Sequence, residues 1–295
     1  MQRRVVPVGG PEVATGRPAG TTPEDGRPPV RTLRGMEATA FYERLDEETF
    51  EASRATASPW DERLQHGSPP TALVAHVMTQ RHPRDEMRIA RINSEFLGPL
   101  PLARMRVKTR VARPGKRIEM LEAAIESGGR EVLTARAWRI ATQADGSVPP
   151  AATPPDPVPA LPEPREPPAW LKKFGYGEAF EWRHVYGGGV PGPAAVWSRP
   201  RIPLIAGEPL APIERALLVA DSANGISGEL PMGEWLFVPP SLSVALQRYA
   251  HGEWTLLEAR TTLTSDGLGL TTLRLADPDG YFAAGTQALL VERRA

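Results

Sequence analysis

The chain has 295 residues, with 35 basic and 35 acidic side chains and a formal net charge of zero. That balance speaks against bulk binding of nucleic acid or of an anionic membrane, both of which draw on a basic excess. There is no cysteine, which excludes thiolate nucleophiles, Cys-ligated metals and disulfides. The five histidines form no HxH or HxxxH pair, so neither a zinc site nor any other cofactor is expected.

Residues 1–37 carry little apolar periodicity and read as a disordered tail. Arg3-Arg4 is followed by no apolar core of a signal peptide, and no run of eighteen apolar residues occurs. Neither export nor a membrane span is expected, and the expected location is the cytoplasm.

A first unit spans 38–142. Phe50 to Trp60 has strand character. Ser68-Pro69-Pro70 then reads as a helix start, with Ser at the N-cap and Pro at the first helical position. Thr71 to Arg81 follows with an apolar face of Ala72, Leu73, Ala75, Val77 and Met78. Three long strands are expected over Met87 to Phe96, Ala103 to Arg113 and Arg117 to Ser127. Gly128-Gly129 then signals a hairpin, and Glu131 to Ile140 closes the unit.

Residues 143–175 form a linker, with ten prolines between Pro149 and Pro168. Proline at that density donates no ladder hydrogen bonds and favours an extended chain, so a semi-rigid tether outside any core is expected. The second unit, 176–295, repeats the order of the first. Trp182 to Tyr186 and Ala194 to Arg201 are strands, and Pro212 to Ala223 is a helix stopped by Asn224-Gly225. Strands follow over Leu242 to Tyr249, Trp254 to Leu263 and Gly269 to Leu275. Asp279-Gly280 turns into a final strand, Phe282 to Glu292. The two closing hairpins align without a gap and set Arg136 against Gln287. One helix across a long antiparallel sheet, given twice, is an α+β architecture, and pairing the two sheets edge to edge removes two exposed edges. Nucleotide-binding signatures are absent: no GxGxxG follows a strand and no GxxxxGK[ST] occurs.

Three stretches of the first unit stand out: His66-Gly67-Ser68-Pro69-Pro70-Thr71-Ala72-Leu73, Ser94-Glu95-Phe96-Leu97-Gly98-Pro99-Leu100, and Arg113-Pro114-Gly115-Lys116-Arg117. In the second unit the corresponding stretches are Ala220-Asp221-Ser222-Ala223-Asn224-Gly225, Ser241-Leu242-Ser243 and Thr286-Gln287. Taken in this order, the chain resembles the acyl-CoA thioesterase II family and its actinobacterial thioesterase-like relatives. The resemblance implies a tandem (double) hotdog fold, each unit a long antiparallel sheet wrapped around one helix. It also implies an acyl-CoA or acyl-carrier-protein thioester as substrate, and assembly into a homo-oligomer.

Hydrolytic members hold a water with an Asp, a Thr or Ser, and a Gln. By resemblance, Gln287 takes the Gln position and Ser241 the Thr/Ser position. The Asp position falls on Asn224, or one helical turn earlier on Asp221. The difference is chemical, because a carboxylate accepts a proton from water and a carboxamide only orients it. The helix start at Gly67 and Ser68 could present backbone N–H groups to a carbonyl oxygen, with His66 beside them. Arg113, Lys116 and Arg117 could hold CoA phosphates. The expected activity is thioester hydrolysis without metal or covalent intermediate. The alternative is a non-hydrolytic acyl-thioester-binding protein or a structural double-hotdog subunit.

Overall fold

A computed structural model describes residues 38–143, 146–149 and 154–294. The expected N-terminal tail lies outside the described residues. The first half contributes β1 (Tyr42–Arg44), β2 (Thr49–Ala52), α1 (Ser68–Arg81), β3 (Met87–Phe96), β4 (Arg104–Arg113), β5 (Ile118–Ser127) and β6 (Arg130–Ala141). The second contributes α2 (Gly175–Glu178), β7 (Phe180–Tyr186), β8 (Ala194–Pro200), α3 (Pro212–Ala220), α4 (Ala223–Ile226), β9 (Trp235–Val238), β10 (Ser241–Leu246), β11 (Thr255–Leu263), β12 (Leu268–Asp277) and β13 (Gly280–Arg293).

All of these strands join one antiparallel sheet in the order β1-β2-β4-β5-β6-β3-β10-β13-β12-β11-β8-β7, with β9 paired to β13. The halves meet at β3 and β10, where Ser94 lies opposite Leu242 and Asn93 opposite Ser243. Counted outward from that seam, each half presents its strands in matching chain order, which gives physical form to the repeated pattern of the sequence. The far edge is also covered. Phe41 and Tyr42 N–H donate to the carbonyls of Pro203 and Leu204, and Ala206 N–H donates to Tyr42 O, so β1 does not present an open edge.

The helices α1 and α3 pack against each other and against the sheet, α1 on β4, β5 and β6 and α3 on β8, β11 and β12. Every residue of α1 from Ser68 to Met78 is buried. The helix is therefore enclosed on all sides rather than laid on a surface with one apolar stripe. Along β10, Leu242, Val244 and Leu246 are buried and alternate with residues facing outward, the period-2 pattern of a half-covered sheet.

Several expectations are corrected. Phe50 to Trp60 is not one strand: β2 ends at Ala52, and a short 3-10 turn, Arg54–Thr56, follows it. Ser68 is not the N-cap. Gly67 holds that position, and Ser68 is turned inward. The second helix does not run on to Asn224-Gly225 but breaks after Ala220 and restarts as α4, which contains both residues. The break follows from competition for one donor, since the Asp221 N–H donates across to Ser68 Oγ at 3.1 Å. The gap-free alignment of the closing hairpins is out of phase. Arg136 lies on the outer face, paired with Glu122, whereas Gln287 is fully buried.

The described part of the proline-rich segment is packed rather than free. Val158 lies against Ala195, Trp197, Leu256 and Ala276 on the outer face of the second half. Trp197 Nε1 donates to Pro159 O, Arg183 donates to Pro162 O, and Arg274 pairs with Asp156. Prolines leave carbonyls without competing N–H groups, and the sheet's long side chains take those carbonyls up.

Candidate active site

Where α3 gives way to α4, three of the candidate residues come together. Gln287 projects from β13 with no exposed surface, and its Nε2 donates to Asp221 Oδ1 at 2.8 Å. Its Oε1 accepts from the Asn224 N–H at 3.1 Å. The carboxamide is thereby held in one orientation, with its donor end toward the carboxyl group. The Asn224 side chain points elsewhere: Nδ2 donates to Phe237 O at 2.7 Å and ties α4 to β9. Of the two positions left open by the sequence, Asp221 has the contact with Gln287, and Asn224 contributes its backbone.

The start of α1 closes over the other side of Asp221. Gly67 makes this approach feasible, because a Cβ there would stand 2.5 Å from Asp221 Oδ2 and 2.7 Å from Phe96 Cζ. Ser68 accepts from Asp221 N–H, and its own N–H donates to His66 Nδ1 at 3.2 Å. That bond makes Nδ1 an acceptor and leaves the imidazole proton on Nε2. Burial holds the His66 pKa down at about 3, so the ring is neutral and its 3.7 Å approach to Asp221 is not an ion pair. Pro69 and Pro70 have no N–H to offer, so the expected bank of free donors at this helix start is much reduced.

Asp221 itself is 6% exposed. Burial pushes its pKa up to about 7, offset in part by the bonds from Gln287 and from the Gly67 backbone. A carboxyl group balanced near neutral pH can take a proton from water and return it.

Tyr176, which the sequence did not nominate, completes the setting. Its ring stacks flat on His66 at 3.9 Å, and its hydroxyl donates to Leu218 O at 2.6 Å and shares a hydrogen bond with Ser222 Oγ. Gly175 lets this segment approach, since a Cβ there would run into the Arg54 carbonyl at 1.8 Å. The flanking glycines of Gly175-Tyr176-Gly177 were the one available sign in the sequence.

Other candidates lie outside this cluster. Ser241 belongs to the outward-facing set of β10, alternating with buried Leu242. The β10–β13 ladder ends at Ser243–Thr286 and the β9–β13 ladder is offset from it by one residue, so Gln287 falls between the two, next to Leu242 and Ser241. Arg113, Lys116 and Arg117 stand at the β4–β5 turn. The other end of α1 lies on that side of the sheet, where His82 meets Thr109 and Arg139. With 14 residues in α1, this is about 20 Å from Gly67. Arg113 is occupied locally, donating to Ile118 O and lying over Trp138. Among the described residues no group of three His, Cys, Asp or Glu could hold a metal ion, and no helix is long and apolar enough to cross a membrane.

Solved structures share this architecture. A hot dog fold protein of Alicyclobacillus acidocaldarius superposes with a TM-score of 0.66 at 17% identity, covering 88% of this chain and 98% of its own. The acyl-CoA thioesterase II TesB2 of Mycobacterium marinum gives 0.62 at 15% identity over 86% and 95%. A tesB protein of Mycobacterium avium subspecies paratuberculosis gives 0.61 at 13% identity over 86% and 96%. At these identities the likeness establishes the hotdog fold. No curated protein matches by sequence. Two family models do match: the acyl-CoA thioesterase N-terminal domain over residues 56–140, and the acyl-CoA thioesterase C-terminal domain over residues 154–291. The second match takes in Asp221, Asn224 and Gln287, and with both domain models matched in order the chain belongs to the acyl-CoA thioesterase family.

Proposed function

We propose that the chain is an acyl-CoA thioester hydrolase built as a tandem hotdog, acting through a water held between Asp221 and Gln287. The observation that carries this reading is the buried carboxyl of Asp221, with a pKa of about 7, bonded to an amide whose orientation is fixed from behind by Asn224. Ordinary core packing does not favour such a pair, because a buried carboxyl group is costly unless its chemistry is used.

The ionised Asp221 accepts a proton from water as the water oxygen attacks the thioester carbon. The carbon–oxygen bond forms and the carbonyl becomes an oxyanion. Collapse of the tetrahedral species breaks the carbon–sulfur bond, and the departing thiolate takes the proton from Asp221. The products are a free acid and a thiol, and the enzyme returns to its starting state. Gln287 Nε2 directs the carboxylate and, in the same position, lies within reach of the water. Neutral His66 adds no charge that would bind the carboxylate permanently. The same chemistry serves a CoA thioester or an acyl-carrier-protein thioester.

The test is thiol release from a panel of acyl-CoAs of increasing length, followed with a chromogenic thiol reagent; the chain has no cysteine to react with it. We expect release for at least one chain length, with kcat/KM rising through a midpoint near pH 7 and level above it, since the base must be deprotonated. Binding of acyl-CoA without release at any pH would contradict hydrolysis.

A further inference from the structure

The cluster around Asp221 contains a water-activating group but few free donors for the oxyanion. Ser68 N–H is spent on His66, and Pro69 and Pro70 have none. The side chain of Ser94 supplies what is missing. Ser94 lies on β3 with no exposed surface, and its hydroxyl has no hydrogen-bond partner among the described residues. It stands within ladders on both sides, opposite Ala135 on β6 and Leu242 on β10. Ile92, Leu242, Val244 and Ala135 around it are buried and apolar.

The register aims this hydroxyl at the site. Ser94 and Leu242 are opposed and therefore share the inner face, and Gln287, just beyond the last β10–β13 pair, Ser243–Thr286, faces the same side, where it meets Asp221. Ser94 and Gln287 thus project to the inner face from the two strands that flank β10, about 10 Å apart across it. Phe96, two residues along β3 and on the same face, reaches Gly67 and so borders Asp221. A buried hydroxyl left unpaired in an apolar layer lowers stability relative to alanine, so its place there calls for a ligand.

We infer that Ser94 Oγ donates a hydrogen bond to the carbonyl oxygen of the acyl thioester and holds it as the oxyanion forms. Ser94 is then a catalytic residue on the wall facing Gln287, and the reacting carbon lies above Leu242. The assignment rests on the thioester reading of the site.

The experiment compares wild type, Ser94→Ala and Ser94→Thr in thiol release and in melting temperature. It also compares their binding of two CoA analogues. In one, CH2 replaces the thioester sulfur and the carbonyl stays; the other is an alkyl-CoA thioether with no carbonyl. Ser94→Ala is expected to lower kcat/KM about 10²-fold, the usual loss for one oxyanion donor, with an unchanged or higher melting temperature. It should weaken the carbonyl analogue only, and Ser94→Thr should recover part of the rate. A Ser94→Ala rate within threefold of wild type overturns the assignment while leaving hydrolysis intact. So does a lost rate accompanied by a lower melting temperature and equal weakening of both analogues. If wild type releases no thiol, the hydrolase reading fails by itself and the analogue pair decides: selective weakening of the carbonyl analogue supports Ser94, and equal binding or none overturns it.

Discussion

Replacing Asp221 by Asn is expected to lower kcat/KM for acyl-CoA hydrolysis by about 10³-fold, within the range for removal of a general base. The fold should persist. The substitution keeps shape and leaves an oxygen to accept from Gln287 Nε2, and it gives up only the bond that the Gly67 N–H makes to the carboxyl. Stability should change with the opposite sign to activity. The folded-state pKa of Asp221 is raised from 3.8 to about 7, so the fold favours the protonated carboxyl. Wild type therefore loses stability as pH rises from about 4 to 7 and is level above that, and the ionised carboxyl costs on the order of 4 kcal/mol by linkage. Asp221→Asn does not titrate. Its melting temperature should exceed that of wild type at pH 8, and the difference should shrink as pH is lowered toward 4. Thermal denaturation at pH 8 and pH 5 checks this. A lower melting temperature for Asp221→Asn at pH 8 would mean that Asp221 is there to hold the fold.

Gln287→Glu is expected to move the pH dependence rather than abolish it. The new carboxyl would sit at the 2.8 Å position now held by the amide donor, with Asn224 N–H still donating to its other oxygen. Two carboxyls at that distance do not both ionise readily, and a proton is shared between them. The midpoint of kcat/KM, near pH 7 in wild type, should rise by at least one pH unit. At pH 7 the rate should fall at least about fivefold, with partial recovery at pH 9. Thiol-release profiles of the two proteins give this directly. An unshifted midpoint would separate Gln287 from the titrating group.

The sequence reads well where one strong local signal decides the structure. Proline after Ser68 started a helix, paired apolar strands with Gly turns gave the sheet, and a lone Gln in an apolar strand proved to be buried against a carboxyl. It reads poorly where two local signals compete. Asn224-Gly225 has the form of a helix stop, but the break comes earlier, because Asp221 N–H finds the Ser68 hydroxyl 153 positions away along the chain. Ser241 opens β10 half-buried, between the last β10–β13 pair and the offset β9–β13 ladder. Sheet alternation moves a side chain to the other face with each step, and the register of β10 against β13 is not written locally. Arg113, Lys116 and Arg117 have the composition of a phosphate site and stand toward the end of α1 opposite Gly67. Tyr176 comes from beyond the proline-rich segment and meets His66 only through the tertiary fold.

Direct attack by water, with Asp221 as base and no acyl-enzyme, is the central claim. A single turnover with enzyme in excess over acyl-CoA, run in water enriched in oxygen-18, tests it most directly. The account predicts that the acid released in the first turnover carries one solvent oxygen, with none taken from the protein. Unlabelled acid, with the label appearing in the Asp221 carboxyl group, would show a mixed anhydride on Asp221 and contradict the account.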